Sequence, residues 1–230
     1  MTDLERPSKA LIESCRHFPA AVLSDAMGRT NCMDSGIKAL SPNLRICGPA
    51  FTVRCYPGDN LMCHYGLHLA QAGDILVIDG AGYNEGALWG GLLSLSASQQ
   101  NLGGTVIEGA ARDVEDLREM NYPVYARNVT PRGVFKLRQG QINLPVVCGG
   151  IVVHPGDLVV GDDNGIAVVP REKVTTVIQV ASEVLSREKD LSKIVIFEAI
   201  EAALREFIGE IEQCSIGFIS RNVDFGAAFS

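Results

Sequence analysis

The sequence predicts an α/β protein with a central mixed sheet and helical segments at both ends. Strand, turn and helix patterns alternate over residues 74–126, and several short apolar strands follow between residues 146 and 169. Alternating strands and helices favour a parallel or mixed sheet whose ligand-binding groups lie at the carboxyl ends of the strands. With 230 residues, 47% of them hydrophobic, the chain is long enough to bury a substantial core.

The first half of the chain is predicted to alternate helices with strands. Pro7 and Pro19 fit the beginnings of two short helices, because proline is favoured in the first helical turn. Asp59 is suited to cap the helix after the first strand. The predicted helices are 7–17, 19–28, 59–71, 89–100 and 114–120, and the predicted strands are 50–56, 74–78, 104–107 and 124–126.

The second half is predicted to be richer in short strands, at 146–153, 157–160 and 165–169. The Asn164-Gly165 pair is typical of a tight hairpin. A helix is expected from Pro170 to about residue 187, followed by an amphipathic segment at 190–211. We predict one α/β domain over 1–190 and a helical extension and tail over 191–230, packed on that domain or on a neighbouring subunit.

Composition and charge exclude several classes of protein. The net charge is -7 and no run of Lys and Arg occurs, so we expect no nucleic-acid partner. Apolar stretches are too short to span a membrane, and the start of the chain resembles neither a signal nor a transit peptide. Seven cysteines without a CxxC pair are typical of cytosolic thiols. We therefore expect a cytoplasmic protein with no membrane partner.

A glycine pair, Gly90-Gly91, stands at the front of the predicted helix 89–100. Glycine within a helix costs about 1 kcal/mol relative to alanine, so the pair fits a helix start better than a helix middle. Unpaired N–H groups at a helix start suit a carboxylate or phosphate, which glycine lets approach closely. The backbone of Gly90, Gly91, Leu92 and Leu93 is thus a candidate anion site. Close packing of the helix on a neighbour is the alternative.

Arg112-Asp113 lies in the turn after a predicted strand. A guanidinium can bind a carboxylate or a developing oxyanion, and an aspartate can hold a hard divalent cation. A cation chelated by a 2-oxo acid polarises its ketone as a Lewis acid. The alternatives are that Asp113 is a simple helix N-cap and Arg112 a surface charge.

Other motifs in the sequence are weaker indications of a functional site. The glycines of segment 80–86 lack the context of a dinucleotide-binding unit. His64 and His68 are one helical turn apart and could share a zinc ion, but two partly buried helix histidines explain the spacing as well. No serine lies in a G-x-S-x-G motif, so a Ser-His-Asp triad has no support. The six lysines fall mostly in loops or on charged helix faces, which disfavours an imine mechanism.

Three blocks of this sequence resemble the RraA-like family. They are GDILVIDGAGYNEGALWGGLLSLSASQQNLGGTVIEGAARDVEDLREMNYPVYAR, then Pro131-Arg132-Gly133, then NLPVVCGGIVVHPGDLVVGDDNGIAVVP. The resemblance implies a swivelling β/β/α fold, assembled as homotrimers or hexamers with active sites between subunits. Family members are named as regulators of ribonuclease E or as 4-hydroxy-4-methyl-2-oxoglutarate / 4-carboxy-4-hydroxy-2-oxoadipate aldolases. The aldolases are class II pyruvate aldolases that also decarboxylate oxaloacetate.

The resemblance also implies residue roles. The amides of Gly90, Gly91, Leu92 and Leu93 would meet the substrate, Arg112 would stabilise the enolate, and Asp113 would ligate Mg²⁺ or Mn²⁺. Family aldolases carry Asp or Glu at the position of Gly91, so as an aldolase this chain would need another acid. By sequence proximity the candidates are Glu85 and Glu108, and Glu188 for an acid that a neighbouring subunit supplies.

Two functions follow as hypotheses. The first is a metal-dependent lyase acting on small 2-oxo acids, which the Arg112-Asp113 pair favours. The second is a non-catalytic regulator that binds an RNA-processing enzyme, which the glycine at position 91 favours.

Overall fold

The computed structural model describes residues 4–194 of the chain. Its contacts divide the protein into two compact units, Met1–Val184 and Leu185–Ser230. All of the described strands and most of the helices belong to the first unit. The segment predicted as an amphipathic extension, 190–211, falls largely outside the described residues.

The described part of the chain alternates helices and strands through its first half and is rich in strands afterwards. The helices are α1 Lys9–Cys15, α2 Ala20–Ala26, α3 Leu61–Leu69, α4 Gly91–Gln99, α5 Val114–Glu119 and α6 Val174–Ile194. The strands are β1 Lys38–Ala39, β2 Ile46–Arg54, β3 Ile75–Asp79, β4 Ala87–Trp89, β5 Gly104–Ala111, β6 Val124–Val129, β7 Gln141–Ile142, β8 Val146–Cys148, β9 Ile151–Val153, β10 Leu158–Asp162 and β11 Gly165–Val169.

Nine strands form one mixed sheet, which confirms the predicted fold class. Its order is β1-β6-β5-β3-β2-β10-β11, with β4 added beside β5 and β7 beside β2. The β2, β3, β5 and β6 strands run parallel, whereas β1, β10 and β11 pair antiparallel. Strands β4 and β5 are also parallel, so both end at the same edge of the sheet. The residues that follow them, Gly90 and Arg112, are therefore neighbours.

Several predicted boundaries were wrong. The run 146–153 is not one strand but the hairpin β8–β9, because Gly149 and Gly150 have φ of +58° and +74° and reverse the chain. Strand β4 lies between the predicted strand 74–78 and the predicted helix 89–100, where no strand was predicted, and its last residue, Trp89, was assigned to that helix. The last helix does not end near residue 187 but continues to Ile194. Among the described residues, no helix is both long and apolar enough to cross a membrane.

The sheet buries side chains on both faces. On one face, α3, α4 and α5 pack their apolar side chains against the strands, with Trp89 and Leu117 in this core. On the other face, the β8–β9 hairpin covers Val77 and Val106. Both faces of β3 are consequently buried, which explains why residues 75–78 of this strand form a continuous apolar run.

A charged cluster fastens the hairpin to the sheet. The Arg127 guanidinium forms ion pairs with Glu108 of β5 and, at 2.8 Å, with Asp34. The second Glu108 oxygen accepts hydrogen bonds from Arg127 at 2.8 Å and from the Gly149 N–H at 2.7 Å. The hydrogen bonds that Arg127 donates to the Glu108 and Asp34 carboxylates raise the pKa of Arg127 further above its ordinary value. Glu108 therefore serves the fold at the hairpin turn.

We expect Glu108→Ala to lower the free energy of unfolding by about 3 kcal/mol, because Arg127 keeps only the half-exposed Asp34 as its partner and the buried Gly149 N–H loses its acceptor. A quarter of the Arg127 side chain is exposed, which sets the loss at the lower end of the range for such pairs. Denaturant unfolding of this variant against Glu119→Ala, on the exposed face of α5, measures the difference. Equal stability of the two variants would contradict a structural role for Glu108.

Candidate active site

A small cavity of about 150 Å³ lies where β4 and β5 end and α4 begins. It brings together Arg112, Asp113 and the start of α4, as the sequence predicts for strand ends. The lining residues are Asn60, His64, Ala87, Trp89, Gly90, Leu92, Leu93, Arg112, Asp113, Gly133, Val134 and Lys136.

Asp113 occupies the N-cap position of α5, but its side chain does not cap that helix. Its Oδ2 accepts a hydrogen bond from the Gly91 N–H at 3.0 Å, at the start of α4. The residue has φ +58° and ψ +42°, a left-handed conformation that costs most residues about 1–2 kcal/mol and that Asp and Asn tolerate best. The left-handed backbone conformation of Asp113 thus positions its carboxylate beside the start of α4.

The glycine pair allows this carboxylate to approach the helix. Helix α4 begins at Gly91 with Gly90 as its N-cap, as the pair predicts. A Cβ added to Gly90 would lie 2.7 Å from Asp113 Oδ2, and one added to Gly91 would lie 3.0 Å from Asp116 Oδ2. The anion at this helix start is therefore a carboxylate of the protein itself.

Arg112 lies between α4 and the segment after β6. Its backbone N–H donates to the Trp89 carbonyl at 3.0 Å, which joins the ends of β4 and β5. Its Nε is 3.4 Å from Asp113 Oδ2, with both side chains more than a third exposed. An exposed pair of this kind contributes between 0 and about 1 kcal/mol to stability. The guanidinium consequently remains available to bind a carboxylate of another molecule.

Three residues that the sequence analysis did not assign complete the other side of the cavity. Asn60 Nδ2 donates to the Leu88 carbonyl at 2.9 Å, while its buried Oδ1 has no partner within residues 4–194. His64 was considered as a zinc ligand or as a partly buried helix histidine, and Lys136 only among the lysines in loops or on charged helix faces. Burial, followed by the charge of Lys136, lowers the pKa of His64, so its imidazole is neutral at neutral pH.

Asp59 holds the segment that carries Lys136 against the start of α3. Its Oδ2 accepts from the N–H groups of Leu137 at 2.6 Å and Arg138 at 3.1 Å, and its Oδ1 accepts from Leu61 N–H at 2.9 Å. Burial opposes ionisation of this carboxyl, but the three backbone donors lower its pKa overall. Asp59 was predicted only as a helix cap.

The acids proposed from sequence proximity lie elsewhere. Glu85 is exposed and does not line the cavity. Glu108 faces the β8–β9 hairpin and is paired with Arg127. Glu188 is exposed and belongs to the second compact unit, so the structure gives it no place relative to the cavity.

The donor set fits a hard divalent cation better than zinc. Across residues 4–194, no three His, Cys, Asp or Glu side chains converge in a way that could hold a metal. His64 and His68 are both exposed and gain no third ligand there. Mg²⁺ is usually held by one or two carboxylates and keeps several waters, whereas structural zinc needs four protein ligands. The carboxylate of Asp113, together with the unpartnered oxygen of Asn60, suits the former.

A larger cleft of about 890 Å³ lies between the N-terminal segment and the turn before β10. Most of the ionisable residues that line this cleft are already paired, Arg171 with Glu5 at 3.1 Å and His154 with Asp157 at 3.6 Å. The smaller cavity is the better candidate site, because its charged and polar groups converge with unused bonding capacity.

The family model that matches this chain is described as RraA-like, Aldolase/RraA, and it covers residues 20–168. The chain belongs to the RraA-like family. A relative from Halalkalibacterium halodurans, provisionally named a 4-hydroxy-4-methyl-2-oxoglutarate aldolase, is 35% identical over 201 residues, which are 86% of this chain and 95% of that one. A relative of the same provisional name from Shewanella oneidensis is 39% identical over 121 residues, 53% of this chain and 73% of that one.

Solved structures confirm the RraA-like fold. Streptomyces coelicolor RraAS2, described as an unusual member of the RNase ES inhibitor RraA protein family, has a TM-score of 0.74 at 27% identity, covering 83% of this chain and 99% of that chain. RraA from Thermus thermophilis, described as an RNA-processing inhibitor, has a TM-score of 0.61 at 30% identity and covers 66% of this chain and 92% of that chain.

We expect Asp59→Ala to lower the free energy of unfolding at pH 7 by about 1–3 kcal/mol, since buried backbone donors lose their acceptor. The folded-state pKa of Asp59 is depressed, so its contribution is present above the unfolded value of about 4 and is lost as the pH falls through the folded value. The difference from wild type should therefore shrink in acid. Denaturant unfolding at pH 7 and pH 3, with Asp25→Ala as an exposed control, measures it, and a difference independent of pH would contradict this account.

Proposed function

We propose that this protein is a divalent-metal-dependent lyase for small 2-oxo acids, cleaving 4-hydroxy-4-methyl-2-oxoglutarate or decarboxylating oxaloacetate. The observation that carries the proposal is the Asp113 carboxylate, fixed by the Gly91 N–H beside Arg112 at the rim of a cavity. The provisional names of the relatives from H. halodurans and S. oneidensis support the same substrate class.

Asp113 would hold Mg²⁺ or Mn²⁺ through the carboxylate oxygen that Gly91 leaves free. Bound there, the cation would act as a Lewis acid on the 2-oxo group of the substrate. The carboxylate position is set before any ligand binds, because Oδ2 is already bonded to the α4 backbone. Such preorganisation is what electrostatic catalysis requires.

The cavity has two cationic side chains, and each can bind one carboxylate of a substrate that carries two. Arg112 binds the carboxylate next to the ketone and stabilises the oxyanion that develops when the carbon–carbon bond breaks. Lys136, on the other side of the cavity, binds the distal carboxylate. Asn60 lines the same cavity, and its buried Oδ1 is an acceptor without a partner among the described residues.

The decisive experiment is pyruvate release from oxaloacetate and from 4-hydroxy-4-methyl-2-oxoglutarate, with Mg²⁺ or with EDTA. We expect metal-dependent turnover by wild type and a loss of at least about 100-fold in kcat/KM for Asp113→Asn, since several kcal/mol of charge stabilisation disappear. Asparagine tolerates the left-handed backbone, so this variant tests the charge and not the fold.

Borohydride treatment with substrate present distinguishes the metal mechanism from an imine at Lys136, which would be trapped covalently. Turnover that persists in EDTA, together with such trapping, would contradict the metal-dependent lyase. Activity on oxaloacetate alone would mean that the enolate chemistry operates without cleavage of the aldol.

The alternative function is a protein-binding regulator of an RNA-processing enzyme, favoured by the likeness to RraAS2 and to the T. thermophilis inhibitor. Such a regulator has no need of the Asp113 charge. Inhibition of ribonuclease by wild type and Asp113→Asn alike, without turnover of either acid, would support it.

Self-association is part of the proposal, because exposed apolar side chains lie at the cavity and on either side of its lining residue Lys136. Leu92, Phe135 and Leu137 are 83%, 72% and 78% exposed in the isolated chain. Exposed apolar groups that cluster on one surface mark a contact with another protein. We infer that subunits of a homotrimer or hexamer meet at this rim, next to the catalytic residues.

We expect Leu137→Asp to dissociate the assembly in light scattering coupled to size exclusion, because a buried carboxylate in the interface is unfavourable. The matched control is Val152→Asp on the β8–β9 hairpin, whose side chain is 54% exposed on a different surface. Dissociation by Val152→Asp and not by Leu137→Asp would show that subunits meet through the hairpin instead.

A further inference from the structure

A second carboxylate lies beside the residue that holds Asp113. Asp113 is the N-cap of α5 and Asp116 lies in the first turn of that helix, and both side chains approach the start of α4. Its Oδ2 comes within 3.0 Å of the position that a Cβ on Gly91 would occupy. The Asp113 Cβ is 3.6 Å from the same point. Both acids therefore converge on Gly91, at the first residue of α4.

This arrangement concentrates negative charge that the described residues do not neutralise. Asp113 Oδ2 bonds to Gly91 N–H and has the Arg112 Nε at 3.4 Å, but the Asp116 carboxylate has no hydrogen bond or ion pair within residues 4–194. The positive end of α4 offsets only part of two charges. Oxygen ligands in this number suit a hard divalent cation.

An independent feature of the same cavity indicates a ligand. Asn60 is 8% exposed, and its Oδ1 is buried without a partner among the described residues, although its Nδ2 is bonded to the Leu88 carbonyl. Because a buried acceptor without a donor or cation is costly, this oxygen implies a polar occupant of the cavity that Asp113 lines.

We propose that Asp116 is the second acid of the site, helping Asp113 to bind the divalent cation, and that residue 91 is glycine because the Asp116 carboxylate needs the space. The inference rests on the proposed metal-dependent function. The competing explanation is that Asp116 only complements the dipole of α5, a role that the neighbouring Glu115 fills equally well.

The spatial relation between residues 91 and 116 permits a test by relocation. A side chain at position 91 would start 3.0 Å from the Asp116 carboxylate, so the acid can be moved from one backbone position to the other. Gly91→Asp in wild type crowds two carboxylates and should weaken cation binding. The same change combined with Asp116→Ala should restore it, because the new carboxylate enters the vacated space.

The readout is Mn²⁺ affinity, measured by electron paramagnetic resonance of the free ion without substrate. We expect Asp116→Asn to weaken binding about 10–100-fold, the effect typical of groups that support a primary metal ligand. Glu115→Gln is the matched control, with the same loss of charge on the same helix, and should bind as wild type does. Pyruvate release by the same proteins should follow the order of their Mn²⁺ affinities.

The outcomes separate this inference from the function on which it rests. If wild type does not bind Mn²⁺ more tightly than Asp113→Asn, the metal-dependent function itself fails. If Asp113→Asn weakens binding but Asp116→Asn binds like wild type, the function stands and the role of Asp116 is overturned. Equal weakening by Asp116→Asn and Glu115→Gln would show a general charge effect and would also overturn it.

Discussion

The hydrogen bond from the Gly91 N–H to Asp113 Oδ2 joins the end of β5 to the start of α4, and the candidate site is arranged around it. It forms only because β4 and β5 are parallel and end together, which brings residues 90 and 112 side by side. It also needs the left-handed backbone at Asp113 and the missing side chain at Gly90. The sheet topology, the backbone conformation of Asp113 and the glycine at position 90 together fix the position of the Asp113 carboxylate.

The rest of the cavity depends on a different contact. Asp59 connects the start of α3 with the segment at 135–138, and this brings Asn60, His64 and Lys136 to face Arg112 and Asp113. The site consequently has two halves, one built by the parallel strands and the other by a buried aspartate. The negative charge of the site lies at the start of α4, whereas Arg112 and Lys136 supply positive charge on opposite sides of the cavity.

Much of the first half could be predicted from sequence. The alternation of strands and helices placed Arg112 and Asp113 at a strand end, and the glycine pair marked the start of α4. The second half could not, because nothing near Lys136 in the sequence indicates that its neighbour Leu137 bonds to Asp59. Strand β4 escaped prediction since three residues carry no periodicity, and the β8–β9 turn was missed although Gly149-Gly150 is a turn signal. The interpretation of Asp113 as a simple N-cap of α5 was also wrong, because its carboxylate accepts a hydrogen bond from α4 and does not cap α5.

The backbone at Asp113 limits how this position can change over time. The left-handed backbone conformation is tolerated by Gly, Asn and Asp and is unfavourable for longer or branched side chains. Glutamate, the chemically closest replacement, is therefore disfavoured by the main chain even where its charge would serve. The replacements that the backbone accepts readily, Asn and Gly, both remove the charge. A lineage that keeps this fold either retains aspartate at position 113 or abandons the carboxylate in a single step, with few intermediates between the two states.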